Sequence, residues 1–488
     1  MAAEGVHRAR VVVVGAGPAG LVAAITLARA GVASLLVERN PGLSPLPRAT
    51  AVSTRTMELL RSWGLEDEVR AGQLDIAYVG AFATETLASP DGVVLPVGVA
   101  GFEQAAAVSP TTVAGVPQDH LEPVLLEHLR TFPAAEVRFG TELVSFHQDT
   151  DGVTVVLRER TSGRETTVRA AYLVGADGAH SRVRDGLGVA MDGPDHLAEH
   201  LTALFEAPLR EVVGERRYGI YFIQHPQAGG VFVPNGSGNR WLYGTAWRPE
   251  RERLEDYTDA RLTTLIRAAA GVPDLPVRVV AKGAFSFAAQ VARCYRVGRV
   301  FLVGDAAQRM TPRGGMGMNT AVGEGHDLGW KLAWVLGGWA GPALLDSYEA
   351  EWRPVGARRA ARSAQEGPEL EGAEALAEDL DGRLAHAWLR RGHRRVSTLD
   401  LLGPGLTLLT GPAGHTWADA AGAVETTFPL DVHALDGPAA GALGVGADGA
   451  VLVRPDARVI ACWPAAVDPR TDLAAAVRSR WLGAGGPG

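Results

Sequence analysis

Three stretches of the chain carry unbroken hydrophobic runs that end at glycine-containing loops. The first is "RVVVV" at 10–14; "GAGPAG" and the helically spaced "LVAAITLARAG" follow it, and "ASLLVERN" then begins another run. The other two are "AAYLVGADG" and "GRVFLVGDAA" at 298–307. Continuously apolar strands are typical of a parallel sheet that is buried on both faces. The pattern therefore predicts a βαβ unit and two more strands of the same kind of sheet.

The first run also has the length of a membrane anchor. Residues 11–28 are uncharged and follow "HRAR", so one interpretation is a signal or transmembrane segment. The other is a buried strand, a turn and a helix. The spacing of glycine and proline has its own explanation in the second interpretation, and we therefore expect no membrane span.

The middle of the chain changes to short strands, turn residues and a concentration of aromatic side chains. We predict a mostly antiparallel sheet here, inserted into the first domain. The predicted parts are 1–75, 105–188 and 285–395 for a Rossmann-like α/β domain, 76–104 and 189–284 for the inserted sheet domain, and 400–485 for a small C-terminal α/β domain. Residues 349–395, rich in Arg and Glu, are predicted to be helical, and "RTDLAAAVRSRWL" is predicted to form a closing helix.

Composition and charge narrow the class of protein. The chain has 488 residues, 47% of them hydrophobic, and a net charge of −8, which argues against a nucleic-acid surface. Its two cysteines, Cys294 and Cys462, have neither a CxxC nor a metal-ligand spacing. We expect no metal and no disulfide framework, which suits a cytoplasmic protein. A homodimer is compatible with the sequence.

The loop after the first strand carries a dinucleotide fingerprint. Gly15, Gly17 and Gly20 fit G-x-G-x-x-G between a strand and a helix, with Ala19 inside the motif. Backbone N–H groups at the start of that helix would face a pyrophosphate. Glu38 ends the next strand, where a carboxylate accepts hydrogen bonds from ribose hydroxyls. The motif indicates an adenine dinucleotide and leaves NAD and FAD open, and a purely structural glycine turn is the alternative.

A second loop favours FAD. "GDAA" places Gly304 and Asp305 at the end of a strand remote in sequence from the first loop. A plain dehydrogenase needs no second loop of this kind, whereas the ribityl chain of FAD offers hydroxyls to a carboxylate. The alternative is that Asp305 caps the next helix.

Taken with "GADGAHSRVR" and "PRGGMGMN", these loops resemble the three fingerprints of the class A flavin monooxygenases, the p-hydroxybenzoate hydroxylase family. The resemblance covers about residues 10–360 and is strongest to members that hydroxylate phenols and aromatic polyketides. It implies an FAD-binding domain, a substrate-binding sheet domain and a thioredoxin-like C-terminal domain, here without CxxC.

The resemblance also implies roles for single residues. Asp177 would support FAD and nicotinamide docking, with help from Arg182 and Arg184. Arg48 and Gln118 would approach the flavin, and Leu143 or Val144 the adenosine. Cofactor contacts are further expected from Arg39, Pro312, Gly315, Gly317, Met318 and Asn319. Gln118 could instead cap its helix, and Arg48 could be a surface arginine.

The stretch "PRGGMGMN" has a role that follows from its chemistry. Reduction places negative charge on the flavin ring, and backbone N–H groups of a glycine loop entering a helix stabilise such charge. Glycines also let the backbone lie close to the ring. We expect the helix to start near Thr320 with Asn319 as its cap.

Two positions depart from the family pattern. Gln308 stands where a His is common after "GDAA", and Arg313 stands where a Thr is common after the loop proline. Arg313 beside Pro312 would bind an acidic or phenolate substrate, or would point outwards; both alternatives stay open. Arg48, Pro312 and Arg313 are the candidate catalytic residues.

The implied reaction is the NAD(P)H-dependent reduction of FAD, followed by O2 addition and transfer of one oxygen atom from a flavin hydroperoxide to an aromatic substrate. NADH or NADPH would dock transiently. Baeyer–Villiger insertion, epoxidation and a non-oxygenating FAD protein remain alternatives. Tyr221, Trp241, Tyr243 and Phe285 are the candidates for lining the pocket of this small aromatic substrate, although such aromatic clusters are also common in cores.

Overall fold

The computed structural model describes residues 7–46, 48–236, 238–365 and 372–478. The helices are α1 Pro18–Arg29, α2 Thr54–Ser62, α3 Glu66–Arg70, α4 Phe102–Val108, α5 Gln118–Arg130, α6 Arg182–Gly186, α7 Leu209–Val213, α8 Asp259–Ala270, α9 Gly317–Leu336, α10 Asp346–Ser363, α11 Gly372–Asp379, α12 His415–Ala423, α13 Gly437–Ala442 and α14 Pro469–Val477.

The first half of the strands comprises β1 His7–Arg8, β2 Val11–Val14, β3 Ser34–Val37, β4 Ala51–Val52, β5 Tyr78–Thr84, β6 Val93–Leu95, β7 Ala114–Gly115, β8 Ala135–Arg138, β9 Thr141–Gln148, β10 Val153–Glu159, β11 Glu165–Ala170, β12 Tyr172–Gly175, β13 Met191–Asp192 and β14 Ala198–Glu206. The second half comprises β15 Tyr218–Ile223, β16 Gly230–Pro234, β17 Arg240–Ala246, β18 Arg278–Phe287, β19 Gln290–Ala292, β20 Arg296–Val297, β21 Val300–Leu302, β22 Gln308–Arg309, β23 Trp388–Arg391, β24 Arg394–Ser397, β25 Leu406–Thr410, β26 Leu430–Ala434, β27 Ala450–Val453 and β28 Val459–Trp463.

The unbroken apolar runs form one six-stranded sheet. Its order is β20-β21-β12-β2-β3-β8, and all neighbours except β20 and β21 run parallel. The residues of β2, β3, β12 and β21 are buried throughout, as the pattern predicts. The strand order extends from β2 in both directions, to β3 on one side and to β12 on the other. Strand β2 is therefore the point at which the order of the strands reverses. Open α/β sheets bind ligands at such a point.

Two helices pack tightly over this sheet. A Cβ on Gly325 of α9 would lie 2.4 Å from the carbonyl oxygen of Ala19 in α1, and one on Gly329 would lie 2.6 Å from Thr26 Cβ. Glycine thus lets α9 lie directly against α1. The uncharged stretch 11–28 is β2 followed by α1, and among the described residues no helix has the length and apolar character needed to cross a bilayer.

A seven-stranded sheet forms the second layer of the molecule. Its order is β18-β14-β17-β16-β15-β5-β6, and within it β15 and β5 are the parallel pair. Helix α8 covers one face, where Phe205, Phe232 and Ile266 share a core. The opposite face turns toward the first sheet, since a Cβ on Gly283 would lie 3.1 Å from Leu46 Cδ1 in the loop between β3 and β4.

The C-terminal part has the order βαβαββα from β25 to α14. Its sheet order is β26-β25-β27-β28, with β25 and β26 parallel and the other pairs antiparallel, an arrangement of the thioredoxin type. Trp330 and Trp334 of α9 lie in its core with Leu408 and Trp417. The α9 helix therefore belongs to two hydrophobic cores at once.

Buried charges join the same two parts. Lys331 Nζ lies 2.7 Å from Asp327 Oδ2 and 3.3 Å from Glu351 Oε2. Arg454 binds Glu351 through Nη1 at 2.8 Å and Asp456 through Nη2 at 2.5 Å. The three carboxylates lie close enough together to hold a cation, and the lysine and the arginine occupy the positions next to them and offset most of their charge.

The prediction of a helical region over 349–395 is wrong in its last part. Helices α10 and α11 lie within it, but β23 and β24 form an antiparallel hairpin. The hairpin turns at Gly392 and His393, and Gly392 has a φ of +61°, which a two-residue turn requires. The predicted closing helix runs over Pro469–Val477, and its last predicted residues lie outside the described part.

Candidate active site

Four loops meet at the carboxyl edge of the parallel sheet. The backbone N–H of Gly15 donates to Val37 O at 2.8 Å, that of Ala176 to Val14 O at 2.8 Å, and that of Val303 to Gly175 O at 3.0 Å. The loops that follow β2, β3, β12 and β21 are therefore neighbours. The sheet brings together the fingerprints at 15–20, 175–184 and 304–307, which are far apart in sequence.

The glycines of the first loop divide into two kinds. Gly15 has a φ of +108°, and a Cβ there would lie 2.2 Å from Ala176 O. A Cβ on Gly20 would lie 2.0 Å from Gly15 O, whereas one on Gly17, the N-cap residue of α1, would meet no protein atom within 4 Å. Gly15 and Gly20 thus allow the turn to fold, and Gly17 borders open space at a helix N-terminus, where a phosphate fits.

Glu38 is held at the rim of this space. Its Oε2 accepts from the backbone N–H of Ala16 at 3.1 Å, and its Oε1 accepts from the backbone N–H and the side-chain amide of Asn40 at 2.8 and 2.7 Å. A carboxylate has about four acceptor positions, so capacity remains for a ribose hydroxyl. Arg39 lies on the surface beside it.

The second loop presents a carboxylate that no protein group uses. The side chain of Asp305 accepts no hydrogen bond from the described residues, and it caps no helix, because β21 passes directly into a 3₁₀ turn at Gly304–Ala306. Burial raises the pKa of Asp305, while the charges of Arg48 and Arg309 oppose that rise. The position suits an acceptor for ligand hydroxyls.

Gly304 is fixed from behind by a residue of α9. Its backbone N–H donates to Glu324 Oε2 at 2.6 Å, and its φ is +62°. Glu324 is fully buried, which raises its pKa to about 8. A neutral carboxyl therefore anchors the loop near neutral pH.

The third loop is locked by its own hydrogen bonds. Asp177 accepts from Ser181 Oγ through Oδ1 and from the backbone N–H of Val183 at 3.1 Å through Oδ2, and burial raises its pKa. Arg184 donates to Ala179 O at 3.1 Å and to Ala306 O at 3.5 Å. Arg184 thus ties this loop to the one that carries Asp305. Arg182 donates to Leu143 O at 3.0 Å, next to the half-buried Val144.

The glycine loop before α9 opens toward the same space. Gly314 and Gly315 have φ values of +76° and +63°, and a Cβ on Gly317 would meet no protein atom within 4 Å. Helix α9 begins at Gly317 with 20 residues, so the free N–H groups of Gly317 and Met318 mark the positive end of a long helix dipole.

Asn319 does not cap this helix, so that prediction is wrong. It lies inside the first turn, where its Oδ1 accepts from the backbone N–H of Ser53 at 2.8 Å. Its amide donates to Ala51 O at 3.1 Å and to Gly315 O at 3.0 Å. Asn319 therefore joins the glycine loop to β4.

Gln118 and Arg48 flank the space from the other side. Gln118 Nε2 donates to Glu122 Oε1 at 2.6 Å, so its side chain does not cap α5. Burial raises the pKa of Glu122 to about 7, although Gln118 and the charge of Arg48 oppose the rise. Arg48 is exposed and lies within electrostatic reach of both Glu122 and Asp305.

The two positions that depart from the family pattern point away from the open space. Arg313 Nη1 donates to the backbone carbonyl of Gln365, next to the end of α10, which favours the outward alternative. Gln308 is fully buried, and its side chain lies near Gly356 of α10. Pro312 precedes the 3₁₀ turn at Arg313–Gly315.

Three of the four aromatic residues expected to line a substrate pocket belong to the core under α8. Tyr221 donates to Arg216 O at 2.6 Å and Tyr243 to Ala228 O at 2.9 Å, and Trp241 packs among them, each at most 1% exposed. Alternation along a strand places them on the face opposite Gly283. Phe285 alone lies on the face toward the first sheet, and it is 42% exposed.

That second face is largely apolar. Directly opposite residues of neighbouring strands project to the same side, so one register row crosses all seven strands. We call it the open row; its members are Val93, Ala83, Phe222, Val231, Gly244, Thr202 and Gly283. At one end of the face Arg240 pairs with Asp119 of α5 at 3.2 Å, which fixes the sheet next to Gln118.

The arrangement fits FAD. Gly17 and Gly317 each face open space at a helix N-terminus, one suited to the pyrophosphate and the other to a ring that becomes anionic on reduction. Asp305, between them in the fold, keeps its carboxylate free for the hydroxyls of the connecting chain.

Sequence reasoning missed Glu324 and Glu122, which support the loop of Asp305 and the side chain of Gln118. Both carry a signal that was available. Glu324, like Asp327 and Lys331, is a charged residue in a helix made mostly of small and apolar residues, and Glu122 follows Gln118 at i+4 on an amphipathic helix. Val99 also lies next to the glycine loop, because a Cβ on Gly315 would lie 3.9 Å from Val99 Cγ2. Nothing in the sequence around Val99 indicates this contact.

Comparisons with known proteins agree with this geometry. The family "FAD binding domain" matches residues 8–363, and the family "Aromatic-ring hydroxylase, C-terminal" matches residues 379–485. A putative polyketide hydroxylase of Streptomyces halstedii is 38% identical, with 93% of each chain covered.

Two solved structures share the whole architecture. The flavin-dependent monooxygenase PieE, in complex with FAD and substrate, superposes with a TM-score of 0.87 at 32% identity over 96% of this chain and 99% of that one. Aklavinone-11 hydroxylase with FAD and aklavinone gives a TM-score of 0.85 at 36% identity, covering 98% of this chain and 99% of that one.

Proposed function

Because the chain belongs to the FAD-dependent aromatic-ring hydroxylase family, we propose that it hydroxylates a planar, fused-ring phenol of the polyketide type. The observation that carries the substrate class is the flat, apolar face of the seven-stranded sheet, with two glycines in its open row, turned toward the loops of the cofactor. The names of the relatives, a polyketide hydroxylase and an enzyme complexed with aklavinone, point to the same class.

FAD supplies the redox chemistry: it accepts a hydride from NAD(P)H and delivers one oxygen atom of O2 to the ring, while the other leaves as water. The residues proposed to hold FAD are Gly15, Gly17, Ala19, Gly20, Glu38, Arg39, Arg48, Gln118, Val144, Asp177, Gly304, Asp305, Pro312, Gly315, Gly317, Met318 and Asn319. Gly15, Gly20 and Asn319 act in this proposal by shaping backbone.

The protein's own share of the chemistry is electrostatic. The N–H groups of Gly317 and Met318, at the positive end of α9, stabilise negative charge that develops on the ring side of the site. No charged side chain of the described residues lies in the open row, so the substrate is held by apolar surface. An uncharged phenol suits this surface better than a carboxylate-bearing substrate.

The test is oxidation of NADH and NADPH by the FAD-loaded enzyme with a series of fused-ring phenols, scored by the mass and structure of the product. A gain of one oxygen atom as a new ring hydroxyl supports the proposal. Oxygen inserted into a C–C bond would show Baeyer–Villiger chemistry instead. Coenzyme oxidation that yields only peroxide with every phenol, and with single-ring phenols as well, would contradict the proposal.

A further inference from the structure

One polar side chain interrupts the apolar face that the open row crosses. Leu201 and Phe205 of β14 pack on the α8 side, so His200 and Thr202, which alternate with them, project toward the first sheet. His200 pairs directly with Phe285 of β18 and with Ala246 of β17. It therefore lies one row away from the open row, on the same face.

The imidazole of His200 lies against two phenylalanines. It stacks on Phe287, with the ring centroids 4.0 Å apart and an angle of 18° between the planes, and its centroid lies 5.8 Å from that of Phe285, at an angle of 25°. The centroids of the two phenylalanines are 5.5 Å apart, so Phe285 lies beside the stacked pair. Such stacking fixes the plane of the imidazole and covers part of its surface. The three rings form one aromatic group on the face.

The nitrogen atoms of this ring form no hydrogen bond with the described residues of the protein. Nδ1 is buried without a hydrogen-bond partner, and Nε2 has none among the described residues. A buried polar atom without a partner is costly, on the order of 1–3 kcal/mol, and calls for an external partner.

The charge state of His200 suits an acceptor. Burial lowers its pKa, and Glu199 opposes that change. Glu199 projects to the other face, where it binds Ser286 Oγ at 2.6 Å and His196 Nδ1 at 3.2 Å. Arg248 and Arg251 border Ala246 at the end of β17. A neutral imidazole accepts a hydrogen bond at one nitrogen and donates at the other.

The position of the group on the sheet also suits a substrate contact. It lies on the face turned toward the first sheet, one row from the open row. Gln290, three residues after the end of β18 at Phe287, opens β19 and pairs with Arg309 of β22. Strand β22 leads into the glycine loop before α9, so a pair of short strands links the end of β18 to that loop.

We propose, on the basis of the proposed function, that His200, next to Phe285 and Phe287, binds a phenolic hydroxyl of the fused-ring substrate. The imidazole accepts the hydrogen bond, and the two phenylalanines border the ring that carries the hydroxyl. The group sets which edge of a planar substrate faces the sheet, and it is therefore a specificity determinant.

The test compares 2-hydroxyanthraquinone with 2-methoxyanthraquinone, which cannot donate the hydrogen bond, as ligands of the FAD-loaded enzyme. Dissociation constants come from the change in flavin absorbance. We expect the wild type to bind the phenol about fivefold more tightly than the ether, since one hydrogen bond contributes about 1 kcal/mol. His200→Phe, which keeps a stacked ring, removes this preference, and His200→Gln restores part of it.

Thr202→Val is the matched control, because Thr202 offers a hydroxyl on the same face one row away. If Thr202→Val removes the preference and His200→Phe keeps it, or if the wild type has no preference, the inference is overturned. Product analysis separates the two proposals. If His200→Phe loses the preference but the wild type forms no oxygenated product, only the proposed function is contradicted. If His200→Phe still hydroxylates and keeps the preference, only the role of His200 is contradicted.

Discussion

At the scale of single residues, the fingerprint glycines serve different purposes that the motif itself does not separate. G-x-G-x-x-G reads alike at all three positions, but Gly15 and Gly20 lie against backbone, and Gly17 faces open space. The difference depends on the loop after β12, about 160 residues away in sequence. A motif within one segment of the sequence therefore cannot predict that contact.

Gly17→Ala and Gly20→Ala should therefore fail in different ways. At Gly17 the φ of −75° is compatible with Ala, so we expect the apoprotein to lose at most a few degrees of Tm while FAD affinity falls at least tenfold. At Gly20 the new Cβ overlaps Gly15 O, and we expect the fold itself to be lost or strongly destabilised. Thermal unfolding of the apoprotein and FAD titration measure the two effects; wild-type FAD affinity in Gly17→Ala would contradict the assignment.

The same scale explains which substrate candidates were misplaced. Aromatic residues mark β15, β16 and β17 correctly as sheet, but a one-residue change of phase decides which face each side chain takes. Tyr221 and Tyr243 fell on the helix-covered face, and the half-exposed Phe285 fell on the open one. The position of α8 determines which of the two alternating sets of side chains is buried.

At the scale of elements, α9 connects three functions along its length of about 30 Å. Its first turn borders the expected flavin ring. Glu324, about two turns further on, anchors the loop of Asp305, and Asp327 and Lys331 belong to the buried charge cluster. The sequence predicted a helix that starts near Thr320. It did not predict what the buried charged residues of this helix bind, since their partners lie in α10 and in the loops that follow β21 and β27.

Glu324→Gln should show the electrostatic cost of this anchor. Glutamine keeps an acceptor for the N–H of Gly304 but cannot ionise. Because the folded-state pKa of Glu324 is raised to about 8 from an ordinary 4.5, the native state holds its proton more tightly than the unfolded chain does. The carboxyl therefore destabilises the fold progressively as pH rises from about 5 to 8, by at most about 1.4 kcal/mol per pH unit.

We accordingly expect the Tm of the Glu324→Gln apoprotein to exceed that of the wild type by a margin that grows between pH 5 and 8 and is constant above. The exposed Glu103 on α4 provides a control, because Glu103→Gln makes the same change of side chain outside the core and is measured over the same pH range. A pH-independent margin for Glu324→Gln would show that Glu324 is already ionised in the native state.

At the scale of the whole molecule, the C-terminal part is bound to the rest by charge as well as by packing. The sequence predicted a small C-terminal domain without CxxC. Its Arg454 completes the pairing of Glu351 and Asp456, and its core encloses two tryptophans of α9.

Replacing Lys331 by Met should disturb this junction. The substitution keeps most of the side-chain volume but leaves Asp327 and Glu351 with one cation, Arg454. Breaking a buried pair by removing one partner costs about 3–5 kcal/mol. We expect a correspondingly lower Tm and faster proteolytic cleavage between residues 380 and 405.

The only other lysine of the chain provides the control for this change. Lys282 lies on the inserted sheet and donates to Tyr257 O at 2.7 Å, so Lys282→Met removes one hydrogen bond, worth about 1 kcal/mol. Equal losses of stability in the two variants would show that the buried cluster has no special role in joining the parts.

Because α9 packs in two hydrophobic cores, it also affects the order in which parts of the chain fold during synthesis. Trp334 donates its indole N–H to Pro404 O at 3.0 Å and stacks on Phe428, residues that leave the ribosome 70 or more positions after it. A nascent chain that has already completed its nucleotide-binding half therefore still exposes a patch of indole rings. Exposed apolar surface of this kind attracts chaperones and promotes aggregation, so premature termination before β25 should yield insoluble fragments even though every cofactor loop is present.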